Sequence, residues 1–146
     1  ASSAKRVYKR QGHGGGTSNA PLRGSKGVLY EGGIREPLVV KWPGVTKPGA
    51  VCNEPVIGVD LYPTFLEMAG VRRPKNYQLD GLSIAQLLRD STASLDRKAL
   101  HWHFPCYLQG YTPRHGPFRT TPAAAIRMGD WKLIEFSRTA NWSCTI

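Results

Sequence analysis

Residues 123–136 read AAAIRMGDWKLIEF, and this stretch decides which kind of sheet the chain can form. Two runs of β-strand character flank the pair Gly129-Asp130. Such a pair suits the primed turn of a two-residue hairpin, because glycine reaches the positive φ that the turn needs. The stretch therefore predicts two antiparallel strands that pair with each other.

Upstream of this hairpin, the sequence predicts a short helix. In LDGLSIAQLLRD, residues 79–90, Ser83 and Gln86 have the spacing of a capping box, in which each side chain binds the other residue's backbone N–H. Leu82 and Leu87 occupy the two positions of a hydrophobic staple. Together these signals predict a helix with a defined start.

The segment between the helix and the hairpin contains one further predicted strand. ALHWHFPCY, residues 99–107, alternates weakly and is predicted to be a strand that leads into a loop at Pro105. YTPRHGPFRTTP, residues 111–122, is rich in turn-forming residues and is predicted to be a loop. The second half of the chain should thus be a small antiparallel sheet with a helix.

The first half shows a different pattern. PLVVKWPG, residues 37–44, is rich in β-branched residues and predicts a buried strand with a turn behind it. DLYPTFLEMAG, residues 60–70, predicts a helix, with Asp60 as N-cap, Pro63 in the first turn and Gly70 at the C′ position. A strand followed by a helix is the pattern of an α/β fold.

Charge and cysteine content limit the partners of the chain. A formal net charge of +10 favours anionic partners, namely nucleic acid, acidic polysaccharide, or phosphate and sulfate groups. No apolar run approaches the ~18 residues of a membrane span. The cysteines form no zinc-binding pattern and, being three, cannot all pair in disulfides; they are Cys52, Cys106 and Cys144. They leave the redox compartment undetermined.

Lys26 stands out because it lies between glycines in GSKG, residues 24–27. The phosphate-binding loop requires G-x-x-x-x-G-K-[ST] between a strand and a helix, and the dinucleotide fingerprint requires a third glycine and a preceding strand. Neither pattern is present, so the sequence does not predict nucleotide binding through this loop. From the residues alone, Lys26 remains open between an anion-binding residue and an ordinary surface lysine.

His101 and His103 form a second candidate cluster. Two residues apart on a predicted strand, they would lie on the same face, which is one way to begin a metal site, but no third ligand is visible. The alternatives are histidines at the rim of a sugar-binding cleft or half-buried structural histidines. No serine lies in a G-x-S-x-G turn and no cysteine has an identifiable base, so a nucleophile is not predicted.

Four segments carry a family resemblance. They are SNAPLRGSKGVLYEGGIREPLVVKWPG (residues 18–44), VIGVDLYPTFLEMAG (56–70), LDGLSIAQLL (79–88) and AIRMGDWKLIEF (125–136). In this order, they closely resemble the C-terminal part of the type I sulfatases, in the alkaline-phosphatase-like superfamily. The resemblance extends over about residues 12–136, and G-x-K-G followed by E-G-G-x-R-x-P is its most specific motif.

The resemblance implies roles for individual residues. Lys26 matches the family lysine that holds the sulfate ester, and a lysine ammonium suits an oxyanion whose charge grows as the ester bond breaks. The resemblance also implies that His13 borders the site, and Arg23, His101 and His103 are further expected substrate-binding residues. In the same motif, Glu31 and Arg35 are expected to form a buried ion pair that fixes the turn.

The sequence also departs from the family pattern. The family nucleophile is a formylglycine made from Cys or Ser in C/S-x-P-x-R, and this pattern is absent. The Asp-Asn pair that helps to bind Ca²⁺ should stand four and three residues before His13, where Lys9 and Arg10 stand instead. Cations at these positions would repel Ca²⁺, which takes oxygen ligands. Thus no metal ligand is predicted, although the parent family uses Ca²⁺.

Four segments are therefore expected: a divergent basic segment (1–11), the end of a sulfatase α/β domain (12–75), a small C-terminal α+β subdomain (76–136) and a divergent tail (137–146). The expected fold is the last strand and helix of an alkaline-phosphatase-like α/β domain plus a small antiparallel sheet with a helix. The chain is interpreted as a fragment of a sulfuric ester hydrolase, inactive alone, whose partner is the rest of the parent domain. The resemblance implies a periplasmic, secreted or lysosomal location.

Two other function classes remain as alternatives. The first is a non-catalytic module that binds sulfated or phosphorylated polyanions, whereas the parent sulfatase would act on a sulfated carbohydrate or an aryl sulfate. The second is nucleic-acid binding through the basic N-terminal segment, but no base-reading element is recognisable, so no nucleic-acid partner is predicted.

Overall fold

The structure, a computed structural model, describes residues 19–112, 116–137 and 141–145. The chain divides into two compact units. The first unit combines Ala1–Pro37 with Lys98–Ile146, and the second is Leu38–Arg97. The first unit is thus assembled from two segments that are far apart in the sequence.

The first unit is built on antiparallel strands and one helical turn. In its described part the helical turn is α1 (Glu31–Ile34), and the strands are β1 (Leu100–Phe104), β2 (Leu108–Thr112), β3 (Gly116–Thr120), β4 (Ala123–Met128), β5 (Trp131–Phe136) and β6 (Asn141–Thr145). One sheet has the order β1-β4-β5-β6, and β2 pairs with β3. The predicted hairpin is confirmed, because Met128 pairs with Trp131 across a turn in which Gly129 has φ +56°.

The prediction of a loop over residues 111–122 was wrong, because the end of β2 and the whole of β3 lie there. The two strands form an isolated ribbon whose register shifts on both sides of Gln109. Such a ribbon tolerates turn-forming residues, and Pro117 lacks only a backbone donor that an edge strand can spare. In the tail, β6 pairs with β5 and extends the sheet.

One face of the four-stranded sheet forms the core of the first unit. Ala123, Ala125 and Ile134 are buried there, with Leu29, Tyr30, Trp102 and Phe136 packed against them. Because side chains alternate along a strand, His101 and His103 lie on the opposite face from Trp102, and both are exposed. The sheet therefore separates the predicted histidine pair from the core face.

The second unit is organised around the buried carboxylate of Asp60. A 3-10 turn (Gly58–Asp60) leads into α2 (Leu61–Met68), and α3 (Ala85–Arg89) follows later in the chain. Asp60 Oδ2 accepts a hydrogen bond from the Ile57 N–H and Oδ1 accepts one from the Leu82 N–H. The predicted helix is confirmed, but Asp60 caps the 3-10 turn and makes no side-chain cap bond to α2.

The predicted start of α3 needs a similar correction. The capping box does not form, because Ser83 Oγ accepts from the Ala85 N–H at 3.3 Å and not from that of Gln86, and the Gln86 amide donates to the Ser94 carbonyl. The Ser83 hydroxyl donates to Glu67 Oε2. The position before the helix is taken by Ile84, which is buried with Leu87 and Leu95 in the core of this unit. The side chain of Ser83 thus keeps a local contact with Ala85, whereas that of Gln86 bonds elsewhere.

The strand predicted within residues 37–44 is absent. The segment has no ladder partner in the described part of the chain, and Leu38 and Val39 are exposed. A buried strand needs hydrogen-bonding neighbours on its edges and packing on its faces, and Val39 is 91% exposed.

Within the described ranges, no helix is both long enough and apolar enough to cross a membrane.

Glu67 joins α2 to α3 and makes their contact sensitive to acid. The Ser83 hydroxyl, and then the Arg89 guanidinium, lower the pKa of Glu67 below 4.5. Its stabilising contribution is therefore present above pH 4.5 and is lost as the pH falls through the pKa of the folded state.

We expect acid to weaken protection of the α3 amides from hydrogen exchange by a few tenths of a kcal/mol, since the pair is solvent-exposed. Glu67→Gln should remove this component of the pH dependence. Unchanged acid sensitivity of α3 in the variant would contradict the assignment.

Candidate anion-binding site

Lys26 is exposed on a turn whose shape depends on glycine. Gly24 has φ +85° and Gly27 has φ +91°, a region in which residues with a Cβ are strained. The turn therefore holds Lys26 between two positions that only glycine occupies without cost. The positive φ angles explain why the motif has glycines on both sides of Lys26, and the turn presents this lysine at the protein surface.

The glycines of α1 pack directly beneath this turn. A Cβ at Gly32 would lie 2.4 Å from the Gly24 carbonyl oxygen, and one at Gly33 would lie 2.1 Å from the Val28 carbonyl oxygen. The Gly32 N–H also donates to the Arg23 carbonyl, at 2.8 Å. Thus α1 and the Lys26 turn touch backbone to backbone, and the Val28 side chain packs against the same contact.

Glu31, the first residue of α1, does not pair with Arg35 as predicted. Its carboxylate instead accepts from Lys132 Nζ at 2.9 Å and from the Arg127 guanidinium at 3.4 Å. Arg127 and Lys132 are direct partners across β4 and β5, so the hairpin delivers both cations to one carboxylate. Arg35 is exposed and contributes its backbone N–H to the Glu31 carbonyl.

Lys132 is a functional candidate that the sequence interpretation missed. It is 3% exposed, and its ammonium lies 5.2 Å from the centre of the Trp102 ring. Burial lowers the pKa of Lys132, and the hydrogen bond from its ammonium to Glu31 opposes this effect. The sequence did contain a signal for Lys132. It lies two residues before Ile134 in β5, and residues two apart on a strand share a face, so an ionisable side chain was to be expected on the core face.

Arg23 lies three residues before Lys26, on the same turn. Its guanidinium stacks 3.9 Å from the centre of the Tyr30 ring and donates to the Tyr30 hydroxyl at 3.2 Å. It also donates to Ser143 Oγ in β6, at 3.5 Å. These contacts hold an exposed guanidinium beside the turn, while its predicted role in substrate binding stays a prediction.

The two other predicted site residues that the structure describes, His101 and His103, are not gathered around Lys26. His101 and His103 line a groove of about 460 Å³ on the outer face of the sheet, with Ala124, Ile126, Leu133 and Glu135. His13 lies outside the described residues. Among those described, no group of three or more His, Cys, Asp or Glu side chains could hold a metal ion.

Comparison with known proteins identifies the family. Residues 25–144 match the family model of the N-sulphoglucosamine sulphohydrolase C-terminal region. The chain belongs to the type I sulfatases. The matched region begins at the Lys26 turn and ends in β6, so the described sulfatase fold and the matched sequence largely coincide.

Curated sulfatases show the same relationship. The chain is 47% identical to a sulfatase of Formosa agariphila over 64% of its length, 37% identical to mouse arylsulfatase J over 82%, and 36% identical to human arylsulfatase A over 85%. These alignments cover 18%, 21% and 22% of the respective relatives. The chain thus spans about one fifth of the length of the curated relatives it matches and corresponds to a sulfatase C-terminal region.

A solved structure supports the same assignment of fold. The structure of BT4656 in complex with its substrate, D-glucosamine-2-N,6-O-disulfate, superposes with a TM-score of 0.55 at 28% identity. The match covers 72% of this chain and 20% of that one. The predicted fold class is confirmed: an α/β sulfatase C-terminal region with a small antiparallel sheet.

Proposed function

We propose that this chain supplies the sulfate-holding lysine of a sulfuric ester hydrolase, and that Lys26 is that residue. The observation that carries the proposal is the geometry of the turn, in which Gly24 and Gly27 hold an exposed lysine above the backbone of α1. An ammonium so placed can donate to a sulfate oxygen and stabilise the charge that develops as the ester bond breaks. Arg23 places a second cation on the same turn.

The substrate class that we propose is a sulfate ester, with a sulfated carbohydrate favoured. The structurally similar BT4656 is bound to a sulfated sugar, and the related sequences include arylsulfatases. The 146 residues do not contain the C/S-x-P-x-R pattern from which formylglycine is made. We therefore propose that the chain alone binds sulfate but does not hydrolyse its esters, and that nucleophile and Ca²⁺ ligands belong to other parts of a complete sulfatase.

Titration of the isolated chain with inorganic sulfate, followed by amide NMR, tests the role of Lys26. We expect millimolar or weaker binding with a shift change at Gly27, because an exposed ionic contact contributes only about 1 kcal/mol. Lys26→Ala should abolish this change, and Lys26→Arg should retain part of it because the charge persists. Lys75→Ala, an exposed lysine of the second unit, is the matched control.

A non-catalytic polyanion-binding module remains the second candidate, favoured by the net charge of +10. If the chain has that function, sulfate and a sulfated oligosaccharide should change the amide chemical shifts of the basic segment 5–10. Lys26→Ala should then leave the response to sulfate unchanged. Calcium-dependent hydrolysis of an aryl sulfate by the purified chain would contradict the proposed inactivity.

A further inference from the structure

We propose that Lys132 is a positioning residue for the Lys26 turn: its buried ammonium, acting through Glu31, holds α1 against the turn and so sets where Lys26 stands. This role rests on the proposed function of Lys26 as the sulfate-holding group. Lys132 itself has no access to a ligand, being 3% exposed. Its effect on sulfate binding must therefore pass through the residues that it contacts.

The first step is the link from the sheet to α1. Arg127 and Lys132 face each other across β4 and β5, and both donate to the carboxylate of Glu31. The shorter contact, at 2.9 Å, comes from Lys132, which is also the more buried of the two cations. Backbone hydrogen bonds of the hairpin fix the two strands that carry these donors. The position of Glu31 is therefore set by a regular sheet and not only by the residues next to it in the sequence.

The second step is the link from α1 to the turn. The two residues after Glu31 are Gly32 and Gly33, whose backbones lie against carbonyl groups of residues 23–28. The Gly32 N–H donates to the Arg23 carbonyl, and the Asn19 amide donates to the Gly32 carbonyl at 2.6 Å. Because these backbone atoms are in direct contact and cannot rotate away as a flexible side chain could, a shift of Glu31 is transmitted to the turn.

The third step is the cost of removing the Lys132 charge. The buried Lys132 ammonium lies near the ring of Trp102, and methionine is an unbranched, adaptable side chain that can replace the lysine without its charge. Lys132→Met would leave Glu31 with Arg127 alone, at 3.4 Å and a partly exposed position. Glu31 should then follow Arg127 or turn toward water, and α1 should loosen from the turn.

The experiment compares Lys132→Met, Lys132→Arg and the exposed control Lys75→Met in the complete chain. Two quantities are measured: the affinity for inorganic sulfate from the Gly27 amide shift, and the hydrogen-exchange rate of the Gly32 amide. We expect Lys132→Met to weaken sulfate binding about fivefold or more and to speed exchange at Gly32 about tenfold. Lys132→Arg should retain most of both properties because it preserves the positive charge that pairs with the Glu31 carboxylate.

A purely structural role gives a different result. In that case, Lys132→Met lowers the thermal midpoint, but the folded molecules keep the sulfate affinity and the Gly32 exchange rate of the parent, which would overturn the inference. In a double-variant cycle, Glu31→Gln combined with Lys132→Met should lose less sulfate affinity than the sum of the two single variants, since both changes interrupt the same link. Additive losses would show that Lys132 does not act through Glu31.

The Gly32 exchange rate also separates this inference from the proposed function. If the parent chain shows no sulfate response at Gly27, the sulfate-holding role of Lys26 fails, and exchange at Gly32 still decides whether Lys132 positions the turn. Faster exchange in Lys132→Met would support positioning, and an unchanged rate would overturn it.

Discussion

Replacing Asp60 by Asn should destabilise the second unit by about 3–5 kcal/mol, the usual cost of removing one partner of a buried ion pair. Asp60 is fully buried, and the Arg97 guanidinium donates to both carboxylate oxygens, at 2.9 and 2.5 Å. The Arg97 side chain is itself only 12% exposed, so it would keep its charge with little access to water. The amide group of Asn would also turn a donor toward the N–H of Ile57 or Leu82.

Chemical denaturation of the parent chain and the variant measures this loss, with α2 and α3 amides as reporters for the second unit. Asp96→Asn, at an exposed aspartate, is the matched control and should change the free energy of unfolding by less than about 0.5 kcal/mol. Adding Arg97→Met to Asp60→Asn should restore part of the stability, because no charge is then left unpaired. A loss below 1 kcal/mol in Asp60→Asn alone would show that this network is not what holds the unit together.

Gly33→Ala should separate α1 from the Lys26 turn. The added Cβ would lie 2.1 Å from the Val28 carbonyl oxygen and 2.7 Å from the Ser25 carbonyl oxygen, and neither backbone atom can rotate away. Overpacking of this kind costs about 1–3 kcal/mol, and the backbone contacts place this change at the upper end. We also expect the Gly27 response to sulfate to disappear, since the turn cannot keep its shape.

The control for this substitution is Gly58→Ala. Nothing lies within 4 Å of a Cβ built at Gly58, and its φ is not in the left-handed region, so the unfolding free energy should change by less than about 0.5 kcal/mol. Denaturation and sulfate titration of both variants decide the outcome. If Gly33→Ala retains the stability and sulfate response of the parent, the close contact between α1 and the turn is not needed for either.

The elements predicted correctly from the sequence are those with strong local signals. Gly129-Asp130 specifies a tight turn, and the spacing of apolar residues after Asp60, with Gly70 at φ +65°, specifies α2 and its end. The capping box at Ser83 looked equally local, yet Ser83 Oγ accepts from the Ala85 N–H and its hydroxyl donates to Glu67, 16 residues away. Strand pairing of residues 37–44 failed because apolar composition cannot show whether a neighbouring strand is present.

The residues of the candidate site also divide into those that local signals predicted and those that depend on distant contacts. Lys26 could be singled out from its glycines and from the resemblance, but the partners of Glu31 could not, because Lys132 is 101 residues further along the chain. Local spacing instead suggested Arg35, which is one helical turn away but exposed. Alternation placed His101 and His103 on one face correctly, but it could not indicate which face carries the core.

The discontinuous first unit has a consequence for synthesis on the ribosome. Glu31 leaves the ribosome 101 residues before Lys132, a delay of roughly 5–20 s at common elongation rates. During this interval the second unit, whose contacts are local, can fold, while the lysine turn still lacks its anchor. The Lys26 turn can therefore reach its final packing only after Lys132 has been synthesised, and truncation before Lys132 would leave the turn without this anchor.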